Sequence, residues 1–167
     1  MLLAIDASTS ATGYAFGTEK DGAPRCGLWK LPGGADLVFD RTLAIISESV
    51  SQLCNLIKPN SVVIEAPLLL VDSEHSAYTT GLLVQLTGAV RAAAARAGAT
   101  TSLAAVSTVR KTFIGERGIG RAEAKRKVME RCRMLGWDHH GSDDIADAMA
   151  TWYHAMATRY PKWKPGK

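Results

Sequence analysis

The sequence predicts an α/β fold: a five-stranded mixed sheet in which an antiparallel three-stranded meander precedes two parallel strands, flanked by helices. Three observations predict it. Two short apolar runs, Met1–Ile5 and Val62–Ile64, each end on an acid, Asp6 and Glu65. The first three extended segments follow one another so closely that only hairpins can join them. Beyond residue 40, helical and extended periodicities alternate, as they do where helices connect parallel strands.

Residues 2–7 read as the first strand and Gly13–Phe16 as the second, joined by the hydroxyl-rich turn Ala7-Ser8-Thr9-Ser10-Ala11-Thr12. Arg25–Leu31 is the third, set off by the turn residues Lys20-Asp21-Gly22 and Pro24. Pro32-Gly33-Gly34 then breaks the chain. From about Arg41 the spacing is helical, with Leu43, Ile46, Val50, Leu53 and Ile57 on one face and Pro59 after the stop.

Val62–Glu65 is a continuous apolar strand of the kind found inside a parallel sheet. Ser76 to Ala97 is a long Ala/Leu-rich helix with Gly98 as its C-terminal cap. Ser102–Val106 forms the fifth strand, and Ser107 caps a short helix containing Val109 and Phe113. Gly115 to Gly120 is a loop, Ala122 to Leu135 a basic helix, and the last helix runs from about Asp143 to Tyr160. Right-handed crossovers can set the strand ending in Glu65 beside the strand ending in Asp6. Both acids then reach the same end of the sheet, where open α/β sheets place their sites.

At 167 residues the chain is long enough for one core, so residues 1–160 are read as a single domain and 161–167 as a basic tail. Hydrophobic content of 47% and charged content of 22% are those of a globular protein. Net charge is +4, which permits an anionic partner, and its distribution is more telling. Between Arg110 and Arg133 nine Lys/Arg face three Glu, and the tail adds Arg159, Lys162, Lys164 and Lys167. Such a surface attracts phosphate backbones, although a solvated helix face is the plainer reading of any charge run.

Cys26, Cys54 and Cys132 are odd in number and widely spaced, so neither a zinc site nor a disulfide framework is expected, and a reducing, cytoplasmic location is. No apolar run approaches the roughly 18 to 20 residues of a membrane span. The opening run is too short for a signal peptide and lacks a basic flank.

The acids carry the functional reading. A carboxylate at the end of a buried strand is costly to leave unpaired. Asp144 and Asp147 lie about 60° apart on the last helix, off the apolar stripe Ile145, Met149, Trp152 and Met156. Asp143 and Asp147 lie about 40° apart, so spacing alone does not choose between Asp143 and Asp144. Asp6 alone could be a turn former, and the helix acids could simply complement the helix dipole. Taken together, two acidic strand ends and an acidic helix face point to a divalent cation as the missing partner. Oxygen-only ligands favour Mg²⁺ or Mn²⁺. His139 and His140 beside Asp138 read as solvated residues or helpers of the helix cap. Trp152, Tyr153 and Met156 read as core or subunit packing. Tyr160 and Trp163 could stack on exposed bases.

At these residues the chain resembles the RuvC-like Holliday junction resolvases of the ribonuclease H-like superfamily. Ile5-Asp6-Ala7-Ser8 through Thr12-Gly13-Tyr14-Ala15 is similar to the first-strand motif with its hairpin glycine. Val63-Ile64-Glu65-Ala66-Pro67 is similar to the second acidic strand. Asp144-Ile145-Ala146-Asp147-Ala148-Met149 is similar to the final Asp-Ala-Ala-Asp-Ala-Leu helix, and this match selects Asp144 over Asp143. Val109–Gly115 and Ala124–Val128 resemble the basic segment. The resemblance implies Asp6, Glu65, Asp144 and Asp147 as catalytic acids holding two Mg²⁺, with Mn²⁺ able to substitute. It also implies DNA contacts from Lys111 and Lys125, among the basic set Arg110, Lys111, Arg121, Lys125 and Lys127. The expected activity is crossover junction endonuclease: a homodimer resolving four-way DNA junctions by paired phosphodiester hydrolysis, in recombination and repair.

Two departures stand out. Leu68-Leu69-Leu70 follows the second acid where the family often has a stacking aromatic, and Glu116–Gly120 enlarges a loop. The competing readings are a nuclease of the same fold acting on flap or other branched DNA, an actin-like-fold kinase fragment, and a non-catalytic DNA-binding module. The Asp6–Gly13 segment also resembles a kinase phosphate loop, but a two-lobed kinase needs roughly twice this length. A non-catalytic module has no use for clustered carboxylates, which repel DNA and one another without metal.

Overall fold

A computed structural model of the chain describes residues 1–32, 36–67 and 77–165. The elements are β1 (Leu2–Asp6), β2 (Ala11–Gly17), β3 (Arg25–Lys30), α1 (Asp36–Ile57), β4 (Ser61–Glu65), α2 (Ala77–Arg96), β5 (Thr100–Ala104), α3 (Val106–Ile114), α4 (Arg121–Met134) and α5 (Asp143–Arg159). The sheet order is β3-β2-β1-β4-β5, with β1, β2 and β3 antiparallel and β1, β4 and β5 parallel. The mixed five-stranded sheet expected from the sequence is the one observed.

Side chains alternate across a strand, and this decides which layer each residue joins. Leu3, Ile5, Val62 and Ile64 pack against Ile46, Val50 and Cys54 of α1 and Leu82, Leu86 and Val90 of α2. Leu2, Ala4 and Val63 face the other way, onto Val109 and Phe113 of α3, Val128 and Cys132 of α4, and Ile145, Met149 and Trp152 of α5. Two cores therefore sandwich the sheet, and fully burying each of these large side chains contributes about 1.5–3 kcal/mol. The same alternation puts Asp6, two residues after Ala4, and Glu65, two after Val63, on the α5 side.

Several boundaries differ from expectation, among them β2, which begins at Ala11 rather than Gly13. Helix α1 begins at Asp36 rather than near Arg41, because Phe39 and Thr42 are buried and extend its inner face by another turn. Gly33 and Gly34 of the expected break lie outside the described residues, as do Ser76, the expected start of α2, and Lys167 of the tail. Strand β5 ends two residues early, paired from Ser61↔Thr100 to Glu65↔Ala104. Ala105 then caps α3, so Ser107 lies inside the helix instead of capping it. Small residues run through this stretch, and the register comes from pairing with β4 rather than from local pattern. Finally, the tail beyond Pro161 is not loose at Trp163. Its ring packs edge-on against Trp152 and Tyr153, with centroids 5.3 and 5.5 Å away, and so is half-buried against the core.

Candidate active site

Strand β1 ends on Asp6 and its parallel neighbour β4 ends on Glu65, with Ile5 opposite Ile64 immediately before them. The turn after Asp6 is closed by Ser8, whose hydroxyl donates to the Ala11 carbonyl (2.5 Å) and accepts from the Ala11 amide (3.3 Å). The serines and threonines here thus shape the rim of the site. Helix α5 starts at Ser142, whose side chain accepts the Ile145 amide at 3.3 Å. Its first two turns carry Asp143, Asp144 and Asp147. Asp6, Glu65, Asp144 and Asp147 all line one cavity of about 500 Å³, together with Arg110, Arg121, Lys125 and Asp143.

The electrostatics follow from this crowding. Burial, then the charges of Glu65, Asp147 and Asp144, hold the Asp6 carboxyl well above the usual carboxylate range. Burial and Asp147 push Glu65 up to about 8, against the pull of Arg110 and Lys125. Burial raises Asp147 to about 6, again opposed by Lys125 and Arg110. Asp144 is raised by burial and by Asp143. Asp143 behaves oppositely: its Oδ2 accepts from Lys125 Nζ at 2.5 Å, and that bond lowers its pKa. The Thr151 hydroxyl is fully buried without a hydrogen bond of good geometry, yet it lies close enough to Glu65 to favour the charged carboxylate.

The donor set suits a hard divalent cation. It consists of carboxylate oxygens alone, and their raised pKa values mark a shortage of positive charge. Among the described residues no three such side chains are already drawn together around a single point.

The five basic residues expected at DNA separate into two groups. Arg110, Arg121 and Lys125 line the acidic cavity. Arg121 and Lys125 are four apart on α4 and share a face, a spacing already visible in the sequence. Lys111 is exposed on α3, outside the cavity. Lys127 Nζ is bound to both Glu116 oxygens, at 2.7 and 2.6 Å, with Glu123 at 3.4 Å. Of the two histidines, His139 alone departs from its expected place. His139 is buried, not solvated, although its carbonyl does accept the amide of the cap residue Ser142 at 2.9 Å. His140 is exposed and paired with Asp138 at 3.0 Å. The Lys125–Asp143 pair was not foreseen, and only the spacing of Asp143 from Asp147 hinted that Asp143 borders the site. Leu68-Leu69-Leu70 lies outside the described residues.

No family model matches the chain, and no curated protein sequence matches it. Solved structures do. Thermus thermophilus RuvC superposes with a TM-score of 0.68 at 21% identity, covering 98% of both chains. The same protein in complex with Holliday junction substrate gives 0.70 at 17% identity, again over 98% of both. The yeast mitochondrial Holliday junction resolvase Ydc2 gives 0.59 at 15% identity, over 95% of this chain and 80% of that one. The fold is therefore of the ribonuclease H-like class. Within that class, it is the fold of RuvC.

Proposed function

We propose that this protein is a metal-dependent, structure-selective DNA endonuclease that resolves four-way junctions as a homodimer, acting in recombination and repair. The observation that carries the reading is the convergence of four carboxylates from β1, β4 and α5 with three cationic side chains in one cavity, on a RuvC fold. Its structural neighbours include a resolvase bound to junction DNA, which supports branched DNA as the substrate class.

Asp6, Glu65, Asp144 and Asp147 would hold two Mg²⁺ or Mn²⁺ ions. When bound, the ions supply the positive charge that activates a water and offsets charge on the leaving oxygen. The chain's own residues do the rest. Two adjacent strand ends fix Asp6 and Glu65 rigidly, and α5 brings Asp144 and Asp147 from above. Burial and the charge of Asp147 favour the protonated form of Glu65, and a bound divalent cation would favour its carboxylate. Arg110 and Arg121 seat the phosphodiester beside the acids through paired N–H donors. Lys111 adds a phosphate contact outside the cavity, and Lys127 joins it on giving up Glu116.

The test is cleavage of an immobile four-way junction with Mg²⁺ or Mn²⁺, beside duplex, flap and single-stranded controls, with mass measured in solution. Paired nicks in the junction from a dimer are expected. A monomer that cuts flaps as readily would overturn the resolvase reading and leave a general nuclease.

A further inference from the structure

Lys125 occupies a position that phosphate contact alone does not account for. Its ammonium is not turned out to solvent: the side chain is 26% exposed and its Nζ is bound to Asp143 at the edge of the acidic cavity. Asp143 is doubly engaged, because its second oxygen accepts the Asp144 amide at 3.1 Å. The same carboxylate thus ties α4 to the first turn of α5. Lys125 lines the same cavity as Asp6, Glu65, Asp144 and Asp147, with its ammonium held there by Asp143.

We propose that Lys125, anchored by Asp143, is the resident counter-charge of the cavity: it holds the four carboxylates together when no divalent ion is bound and competes with ion entry. Asp143 is then a positioning residue, which keeps the ammonium at the rim and leaves the space between the strand ends open. Four carboxylates brought together with no cation repel one another, and one ammonium offsets part of that repulsion at the cost of opposing a second cation. This deepens the metal-nuclease reading and rests on it.

The test uses DNA-free protein and Mn²⁺. Calorimetric titration and thermal melting, with and without Mn²⁺, are run on wild type, Lys125→Met, Lys125→Gln, Asp143→Asn and the double variant combining Lys125→Met with Asp143→Asn. Arg126→Met, which removes an exposed cation paired with Glu130, is the control. Removing the ammonium should lower Tm in chelator, enlarge the rise in Tm caused by Mn²⁺, and tighten Mn²⁺ binding about tenfold. Asp143→Asn, which frees Lys125 to move inward, should weaken Mn²⁺ binding, and should do so by less when Lys125 is already Met. Lys125→Gln guards against misfolding of the methionine variant.

Mn²⁺ affinity that is unchanged or weaker in both Lys125 variants would overturn the proposal while leaving the metal site intact. An equal effect of Asp143→Asn in both backgrounds would remove Asp143's positioning role. Failure of every protein, wild type included, to bind Mn²⁺ would instead overturn the metal-nuclease reading and this proposal with it.

Discussion

Gly13 lies directly opposite Asp6 in the β1–β2 ladder, and the backbone carbonyl of Asp144 occupies the space where a Gly13 side chain would be. A Cβ there would overlap that oxygen and come within 3.0 Å of the Ile145 amide nitrogen. The glycine is therefore what lets the first turn of α5 settle onto the sheet and bring Asp144 and Asp147 to Asp6. Because the obstruction is backbone, no rotamer change relieves it. Gly13→Ala should destabilise the fold by about 3 kcal/mol, the upper part of the usual overpacking cost. It should also reduce cleavage more than DNA binding. Urea unfolding and a junction-binding assay on the same variant check both.

Asp6→Asn and Glu65→Gln each remove a charge from a group already short of compensation. Cleavage should fall at least about a hundredfold, since metal-held charge stabilisation supplies several kcal/mol. Junction binding should hold or tighten, because the lost charge repelled phosphate. Near wild-type Mg²⁺-dependent cleavage by Asp6→Asn would remove Asp6 from the catalytic set.

The raised pKa values also fix the sign of the pH dependence. Glu65 rises from 4.5 when unfolded to about 8 when folded, so between those values the native state binds more protons than the unfolded chain. Unfolding free energy then falls as pH rises through this window. In chelator, thermal stability should be greatest at the acid end of the window and decline to about pH 8. Asp147, at about 6, contributes to the lower half. Adding Mn²⁺ should flatten the profile, and Glu65→Gln should remove its upper part. A stability that climbs over the same window in chelator would contradict the arrangement described.

Much of this was legible in the chain, for identifiable reasons. The strand-ending acids could be placed because a short apolar run stopped by a charge gives both the strand and the direction of its end. The α5 stripe could be placed because Ile145, Met149, Trp152 and Met156 keep helical period, and all four are buried. The start of α1 and the register of β5 were not legible, since partners distant in sequence set them. Nor was the fate of Trp163: a tail rich in Lys and Pro reads as solvated until the aromatic cluster that receives it is assembled. The Lys125–Asp143 pair joins two helices whose relative placement no local pattern reports.

Lys111 and Lys127 should separate in a salt titration. Lys111 is exposed on α3, so Lys111→Ala should reduce the slope of log affinity against log salt by about 0.9, one phosphate contact. Lys127 must first give up its bonds to Glu116, so Lys127→Ala should change the slope less. Glu116→Gln, which loosens that hold, should raise affinity. Equal slopes for wild type and Lys111→Ala would show that this lysine faces away from DNA.

Paired cleavage requires two sites related by symmetry, and one chain of this size supplies one. Helix α2 links the two requirements. Thr79 and Leu83 line the acidic cavity, and Leu82, Leu86, Ala93 and Ala94 are buried within the chain. The sequence offers more apolar surface in Leu82-Leu83-Val84-Gln85-Leu86 and Ala92–Ala95 than one sheet face requires, and part of it is used inside the protomer. Exposed on the outer side are Val84, at 47%, Ala92 and Ala95, with Gly81 and Gly88, where an added Cβ would meet no atom within 4 Å. Two such faces can approach closely, and a contact there would hold the two cavities in fixed relation. Val84→Glu keeps helix propensity while placing charge on that face. It should weaken the dimer by at least about tenfold, a cost typical of a central interface residue. Sedimentation should then show monomer at concentrations where wild type is dimeric, and paired junction cuts should give way to single nicks. Unfolding of the isolated protomer should change little, because the residue is 47% exposed in it. An unchanged sedimentation profile would place the subunit contact elsewhere.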